Sequence, residues 1–186
     1  GLINGDTAFG NCVTSRHFQG FKLAQKRRFE RVLDVLPKIG ESFERSFGRP
    51  GLSYFENVGW PADGAADIAV VGMGPDFGTY QAMRPESEKR MGLKLSGTTI
   101  RLLSPFPRQA LRERLKGAKV VLVVNQAHHG GRGHLTLDVV DALSDLEHPP
   151  QVVSVFAGLG GANVSESTWN AMLDAGHAAL KGAAVP

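Results

Sequence analysis

Three imidazoles fall within seven residues in the stretch Asn125-Gln126-Ala127-His128-His129-Gly130-Gly131-Arg132-Gly133-His134. Imidazole is the commonest protein ligand for zinc, so metal binding is the first chemistry to consider. The spacing fits neither a zinc finger nor H-E-x-x-H, and no cysteine lies nearby to complete a ligand set. A polar loop that touches a partner subunit is the better reading. A second candidate is Gly72-Met73-Gly74-Pro75-Asp76-Phe77-Gly78, which follows an apolar run and opens a helical pattern. Free backbone N–H groups at such a turn attract phosphates. The glycines do not match G-x-G-x-x-G, Pro75 removes a donor, and no ribose-binding acid follows about 20 positions on. A tight strand-to-helix turn accounts for it. The third candidate is Ala157-Gly158-Leu159-Gly160-Gly161-Ala162-Asn163, where glycine implies either positive φ or close backbone approach.

Short apolar runs alternating with amphipathic stretches position these loops. Ile68–Gly72, Thr98–Leu103, Val120–Val124 and Val152–Phe156 read as buried strands. Helical stretches Thr79–Glu88, Arg108–Leu115, Leu135–Leu146 and Ser165–Leu180 lie between or after them, the last with Ser165 as N-cap. Leu111 and Leu115, and then Leu137, Val140 and Leu143, are the residues expected to face the sheet. Continuous apolar strands separated by helices predict a doubly wound, mostly parallel α/β sheet covered on both faces. Ahead of it, residues 17–47 carry apolar side chains at helical spacing, with Pro37 predicting a kink or a break. The organisation expected is an extended arm and helical connector over 1–49, a linker loop over 50–66, and an α/β domain over 67–186. Phe18, Phe21, Phe29, Phe43 and Phe47 are too many for a surface stripe, so their face should cover the domain or another chain.

Composition narrows the function classes. With 21 Lys and Arg against 18 Asp and Glu, the net charge is +3, and no basic run carries interleaved aromatics. Nucleic acid is not the expected partner. No apolar run reaches the roughly 18 residues of a membrane span, and no signal peptide opens the chain. The lone Cys12 fits a reducing, cytoplasmic setting. Because the chain begins at Gly1, a fragment, a processed product or one piece of a split polypeptide is expected. No nucleophile–base motif or Walker loop appears.

Read in order, several motifs resemble one family. They are Phe43-Glu44-Arg45-Ser46-Phe47-Gly48-Arg49, then Met73-Gly74 with Gly78-Thr79, and the strand ending Ser104-Pro105-Phe106-Pro107. Gly133-His134-Leu135 and Phe156-Ala157-Gly158-Leu159-Gly160-Gly161 complete the series. Together these resemble the second domain of the 2-oxoacid:ferredoxin oxidoreductases, a domain similar to the C-terminal domain of transketolase. The resemblance runs from about Ala8 to Leu180. The family pattern is altered at Ser104, where Arg is usual, at His134, where Gln is usual, and at Ala162-Asn163, where Arg-Asp is usual.

That resemblance implies oxidation of a 2-oxoacid at thiamine diphosphate, with Mg²⁺ in the cofactor site and [4Fe–4S] clusters passing electrons to ferredoxin. The cofactor-binding domains of such enzymes lie outside this stretch, as do the residues that select the 2-oxoacid. The chain is therefore expected to hold no cofactor, metal or catalytic residue. It would act as a structural portion of the complex, meeting other subunits directly and ferredoxin indirectly. If the strands run parallel, the three glycine-rich loops emerge at one edge of the sheet. His128, His129, Arg132 and Asn163 are then the expected interface contacts. A free-standing doubly wound module that binds a nucleotide or small anion is the alternative.

Overall fold

A computed structural model describes residues 14–51, 53–56, 65–74, 76–128 and 130–183. The chain divides into two units, residues 1–52 and 53–186. The described part of the first unit is essentially one helix, α1 (Ser15–Phe47), 33 residues long. It runs unbroken through Pro37, so the expected break does not occur. Proline deletes one N–H, and the turns on both sides keep the remaining ladder. Gly48, at φ 65°, ends the helix with its N–H on the Glu44 carbonyl at 2.8 Å. Left-handed backbone is the usual reason for glycine at that place.

In the second unit the described strands form one sheet, in the order β1 (Phe55–Glu56), β3 (Leu95–Ile100), β2 (Ile68–Gly72), β4 (Val120–Asn125), β5 (Gln151–Phe156). The last four are parallel, and β1 adds antiparallel to β3 at one edge. The chain is thus α/β with a mostly parallel sheet. β1 falls in the stretch read as linker. β3 is displaced from its expected position at Thr98–Leu103, starting three residues earlier and ending at Ile100. Leu95-Ser96-Gly97-Thr98-Thr99-Ile100 is polar enough to read as a loop at its start, yet all six residues are buried. They lie between β1 and β2, with a hydroxyl occupied by the Arg114 guanidinium at 3.2 Å from Thr98 Oγ1.

Successive residues of β2 point to opposite faces, as a pleated strand requires. Ile68 and Val70 join Val120, Leu122 and Val124 under α2 (Asp76–Met91) and α5 (Glu166–Leu180). Ala69 and Val71 join Val121 and Val123 under α3 (Arg108–Leu115) and α4 (His134–Leu143). Leu111 and Leu115 of α3 are buried as expected. In α4, Leu143 is buried as expected, but its companions are Leu135, Val139 and Ala142, whereas Val140 is half-buried and Leu137 is 52% exposed. Ser165 caps α5, its side chain accepting the Thr168 N–H at 3.3 Å.

One carboxylate joins the starts of three neighbouring strands. Lys119, just before β4, donates to Asp67 Oδ1 at 2.6 Å, and the Lys94 N–H, just before β3, donates to Oδ2 at 2.8 Å. The Lys119 hydrogen bond, followed by the Lys94 backbone bond, holds the Asp67 carboxyl below its ordinary value. A group depressed on folding adds stability above its unfolded value and loses it as pH falls through the folded value. Asp67→Asn should therefore lower the urea midpoint at neutral pH. The gap to wild type should close as pH falls below the ordinary carboxylate range and through the lowered folded value, where the carboxyl is protonated in both the folded and the unfolded chain. A gap independent of pH would assign the loss to packing instead.

Candidate functional site

Parallel strands deliver their following loops to a single edge, and in open α/β sheets ligands and partners meet that edge. β2 is flanked by β3 on one side and β4 on the other, so the chain's path reverses between β2 and β4. At their carboxyl ends lies a crevice of about 290 Å³. Met73, Leu103 and Val124 give it apolar walls, and Gln126, His134 and Asp138 its polar groups. Burial, and then the neighbouring Asp141 carboxylate, push the Asp138 carboxyl up; His134 and Arg108 act against that shift. One carboxyl, one imidazole and two amides, those of Asn125 and Gln126, on apolar walls suit binding.

Asn125 fixes the geometry of this edge. It is the last residue of β4 and is buried. Its Nδ2 donates to Thr136 Oγ1 at 2.8 Å and lies 3.2 Å from Ser154 Oγ, while Thr136 and Ser154 hydroxyls are 2.9 Å apart. Its Oδ1 accepts the Thr136 N–H at 3.4 Å. Thr136 is the third residue of α4, one of the helix-start donors that have no partner inside the helix. Gly133, at the N-cap position, offers no capping side chain, so Asn125 supplies the cap from a neighbouring strand. Glycine is required there: a Cβ would fall 2.0 Å from Asn125 Oδ1. Sequence reasoning passed over Asn125. The available signal was a helix start lacking Ser, Thr, Asp or Asn at its N-cap, with an asparagine closing the preceding strand.

Of the expected interface residues, His128, Arg132 and Asn163 are exposed on the loops after β4 and β5. The His128 ring packs edge-on to Phe156, centroids 4.7 Å apart, which ties the first loop to the end of β5. His129 lies outside the described residues. The third glycine-rich loop is now explained: Gly158, Gly160 and Gly161 have φ of 71°, 63° and 79°. Nothing lies within 4 Å of a Cβ placed on Gly160 or Gly161, so positive φ, not crowding within this chain, demands glycine.

The residues present do not fit the cofactors that the resemblance implies. Among the described residues lining the crevice there is no Lys or Arg to answer a diphosphate, and the Asp138 carboxyl stands among them. Among the described residues no three His, Cys, Asp or Glu side chains are grouped to hold a metal ion. A [4Fe–4S] cluster needs four thiolate ligands, and the chain has one Cys. Among the described residues no helix is long and apolar enough to cross a membrane.

Residues 66–168 match the family described as pyruvate:ferredoxin oxidoreductase core domain II. Pyruvate synthase subunit PorA of Thermotoga maritima is 30% identical over 144 residues, covering 77% of this chain and 36% of the relative. The chain spans between 34% and 43% of the length of the curated relatives it matches. A solved 2-oxoglutarate:ferredoxin oxidoreductase from Magnetococcus marinus aligns at TM-score 0.46 and 17% identity, over 83% of this chain and 23% of that one. A split-gene transketolase aligns at TM-score 0.42 and 20% identity, over 72% of this chain and 42% of that one.

Proposed function

The chain belongs to the pyruvate:ferredoxin oxidoreductase core domain II family, and from that premise we propose that it is a non-catalytic assembly portion of a 2-oxoacid:ferredoxin oxidoreductase. The assembled enzyme would oxidise a 2-oxoacid at thiamine diphosphate with Mg²⁺ and pass electrons through [4Fe–4S] clusters to ferredoxin. The other subunits would bring those groups. The chain's own task is to present the carboxyl edge of its sheet to them.

One observation carries the reading. The three glycine-rich loops leave β2, β4 and β5 at the same edge, and the left-handed Gly130, Gly131, Gly160 and Gly161 of the second and third have open space where a side chain would be. Such backbone is entropically costly to hold in one conformation unless something packs on it. His128, Arg132 and Asn163 stand exposed among these loops and supply polar contacts. The exposed Leu103 and Leu159 supply apolar ones.

Co-expression with the polypeptides encoded beside it, followed by analytical ultracentrifugation, tests the reading. The wild-type chain should sediment with them. His128→Ala/Arg132→Ala should weaken that association by about 1–3 kcal/mol if the pair is central to the contact. Both side chains are exposed and His128 meets the rest of the domain through Phe156, so circular dichroism of the variant should show the fold retained. An unchanged assembly in the double variant would move the docking face elsewhere. A chain that sediments alone and binds a diphosphate in calorimetry would replace the assembly reading with a ligand-binding module.

A further inference from the structure

The crevice at the carboxyl ends of β2 and β4 has a chemistry that the assembly role does not use. Every residue lining it falls within residues 53–186, so its walls come from one unit alone. Its volume of about 290 Å³ stands at the small end of ligand pockets, with room for a short stem and one head group and too little for a nucleotide. Met73, Leu103, Val124 and Leu135 make the walls apolar. Gln126 reaches from the end of β4 to the turn after β2, where a Cβ on Gly74 would lie 3.4 Å from Gln126 Oε1.

Asp138 decides the head group. It sits in the second turn of α4, half-buried at the wall of the crevice. Among the described residues its carboxyl makes no hydrogen bond and no ion pair. Arg108, whose field reaches it, is occupied: Nη1 lies 2.6 Å from Asp141 Oδ2, and Nη2 donates to the Asp141 carbonyl at 3.0 Å. Asp138 and Asp141 therefore share one guanidinium, with the exposed His134 imidazole offsetting part of what is left. A carboxylate drawn part-way out of water is costly until a cation or a donor answers it. An anion would meet Asp138 with no Lys or Arg among the described lining residues. A metal ion would find no group of three His, Cys, Asp or Glu among the described residues. A wholly apolar ligand would leave Asp138 drier and still unanswered. We infer that the crevice is a binding site for a guanidinium or primary ammonium group carried on a short apolar stem, with the Asp138 carboxylate accepting its N–H donors. Two sources present that chemistry: a free small cation, or a Lys or Arg side chain of a subunit docked at the same edge. The inference rests on the crevice, and the assembly reading bears only on the second source.

Three probes of similar length test it on the full chain: butylguanidinium, butyramide and butyrate, at about pH 8, above the ordinary carboxylate range. NMR of the Gln126, Ala127 and Leu135 amides reads binding at the crevice. Butylguanidinium should shift these signals saturably and bind roughly fivefold tighter than butyramide, the effect of one partly exposed ion pair. Butyrate should bind weakest. Asp138→Asn, which keeps the shape of the side chain, should erase the advantage of butylguanidinium and leave butyramide little changed. Equal or tighter binding of butyramide, a cation preference that survives Asp138→Asn, or no saturable shift with any probe would overturn the inference. Sedimentation of Asp138→Asn with co-expressed subunits then assigns the source. Looser assembly places the cation on a partner, and unchanged assembly makes it a free small molecule. A chain that does not assemble at all removes the assembly reading and leaves the NMR result standing.

Discussion

Trp169→Ala should lower the unfolding free energy by about 3–5 kcal/mol, a large share of what holds a domain of this size together. Trp169 sits on α5 with no exposed surface. Its indole stacks on Tyr80 of α2, centroids 4.6 Å apart and planes 15° from parallel. Its Nε1–H donates to Ser87 Oγ at 2.9 Å, and Ser87 in turn donates to the Met83 carbonyl at 2.9 Å. One side chain therefore joins the two helices on that face of the sheet by stacking and by a hydrogen bond. Trp169→Phe separates the two contributions. It keeps most of the ring burial and loses the bond to Ser87, so its cost should be nearer 1–2 kcal/mol, about one buried hydrogen bond plus a small void. Urea unfolding at constant m-value reads both variants. A loss below about 1 kcal/mol for Trp169→Ala would mean that α2 and α5 do not meet through this residue.

How far the fold could be read in advance depended on the apolar signal of each element. β2 was legible to the residue, and β4 and β5 to within one, because Ile68–Val71, Val120–Val124 and Val152–Val155 are short runs rich in β-branched residues; β5, expected to be buried, is an edge strand in which only Val153 is buried. β3 was misplaced because Ser96, Gly97, Thr98 and Thr99 contribute little apolar surface and are held by pairing to β2 and β1. No local pattern reports such tertiary support. β1, at two residues, is too short to have a period. α2 extends three residues beyond each end of its expected span, through Pro85, since packing of Phe77 and Tyr80 against the sheet overrides a weak helical sequence. At the candidate site, the glycine-rich loops and their exposed polar residues were visible as motifs. Asn125 was not, because its role depends on three hydroxyl and backbone groups brought from α4 and β5.

Asn125→Ala should cost about 2–4 kcal/mol, the sum of a lost helix cap and buried polar groups left short of partners. In the wild type, Asn125 answers the Thr136 N–H at the start of α4, and its amide stands beside the Thr136 and Ser154 hydroxyls. Water cannot take over cheaply at a site where Asn125 and Thr136 are both buried. The penalty belongs to the partners as much as to the asparagine, so removing the partners should return part of it. Asn125→Ala/Thr136→Val/Ser154→Ala should be less destabilised than the three single losses added together, because the two hydroxyls vanish with the amide that answered them. The cap on the Thr136 N–H stays lost in either variant, which sets a floor of about 1 kcal/mol. Thermal or urea unfolding of the single and triple variants gives the coupling. Strict additivity would show that these groups do not act as one network. A single Asn125→Ala loss below about 1 kcal/mol would show that α4 keeps its start without Asn125. In the expected case the same residue that closes β4 also sets where α4 begins, and with it the wall of the crevice that His134 and Asp138 share. Changing it should therefore disturb the carboxyl edge of the sheet even under conditions where the domain stays folded.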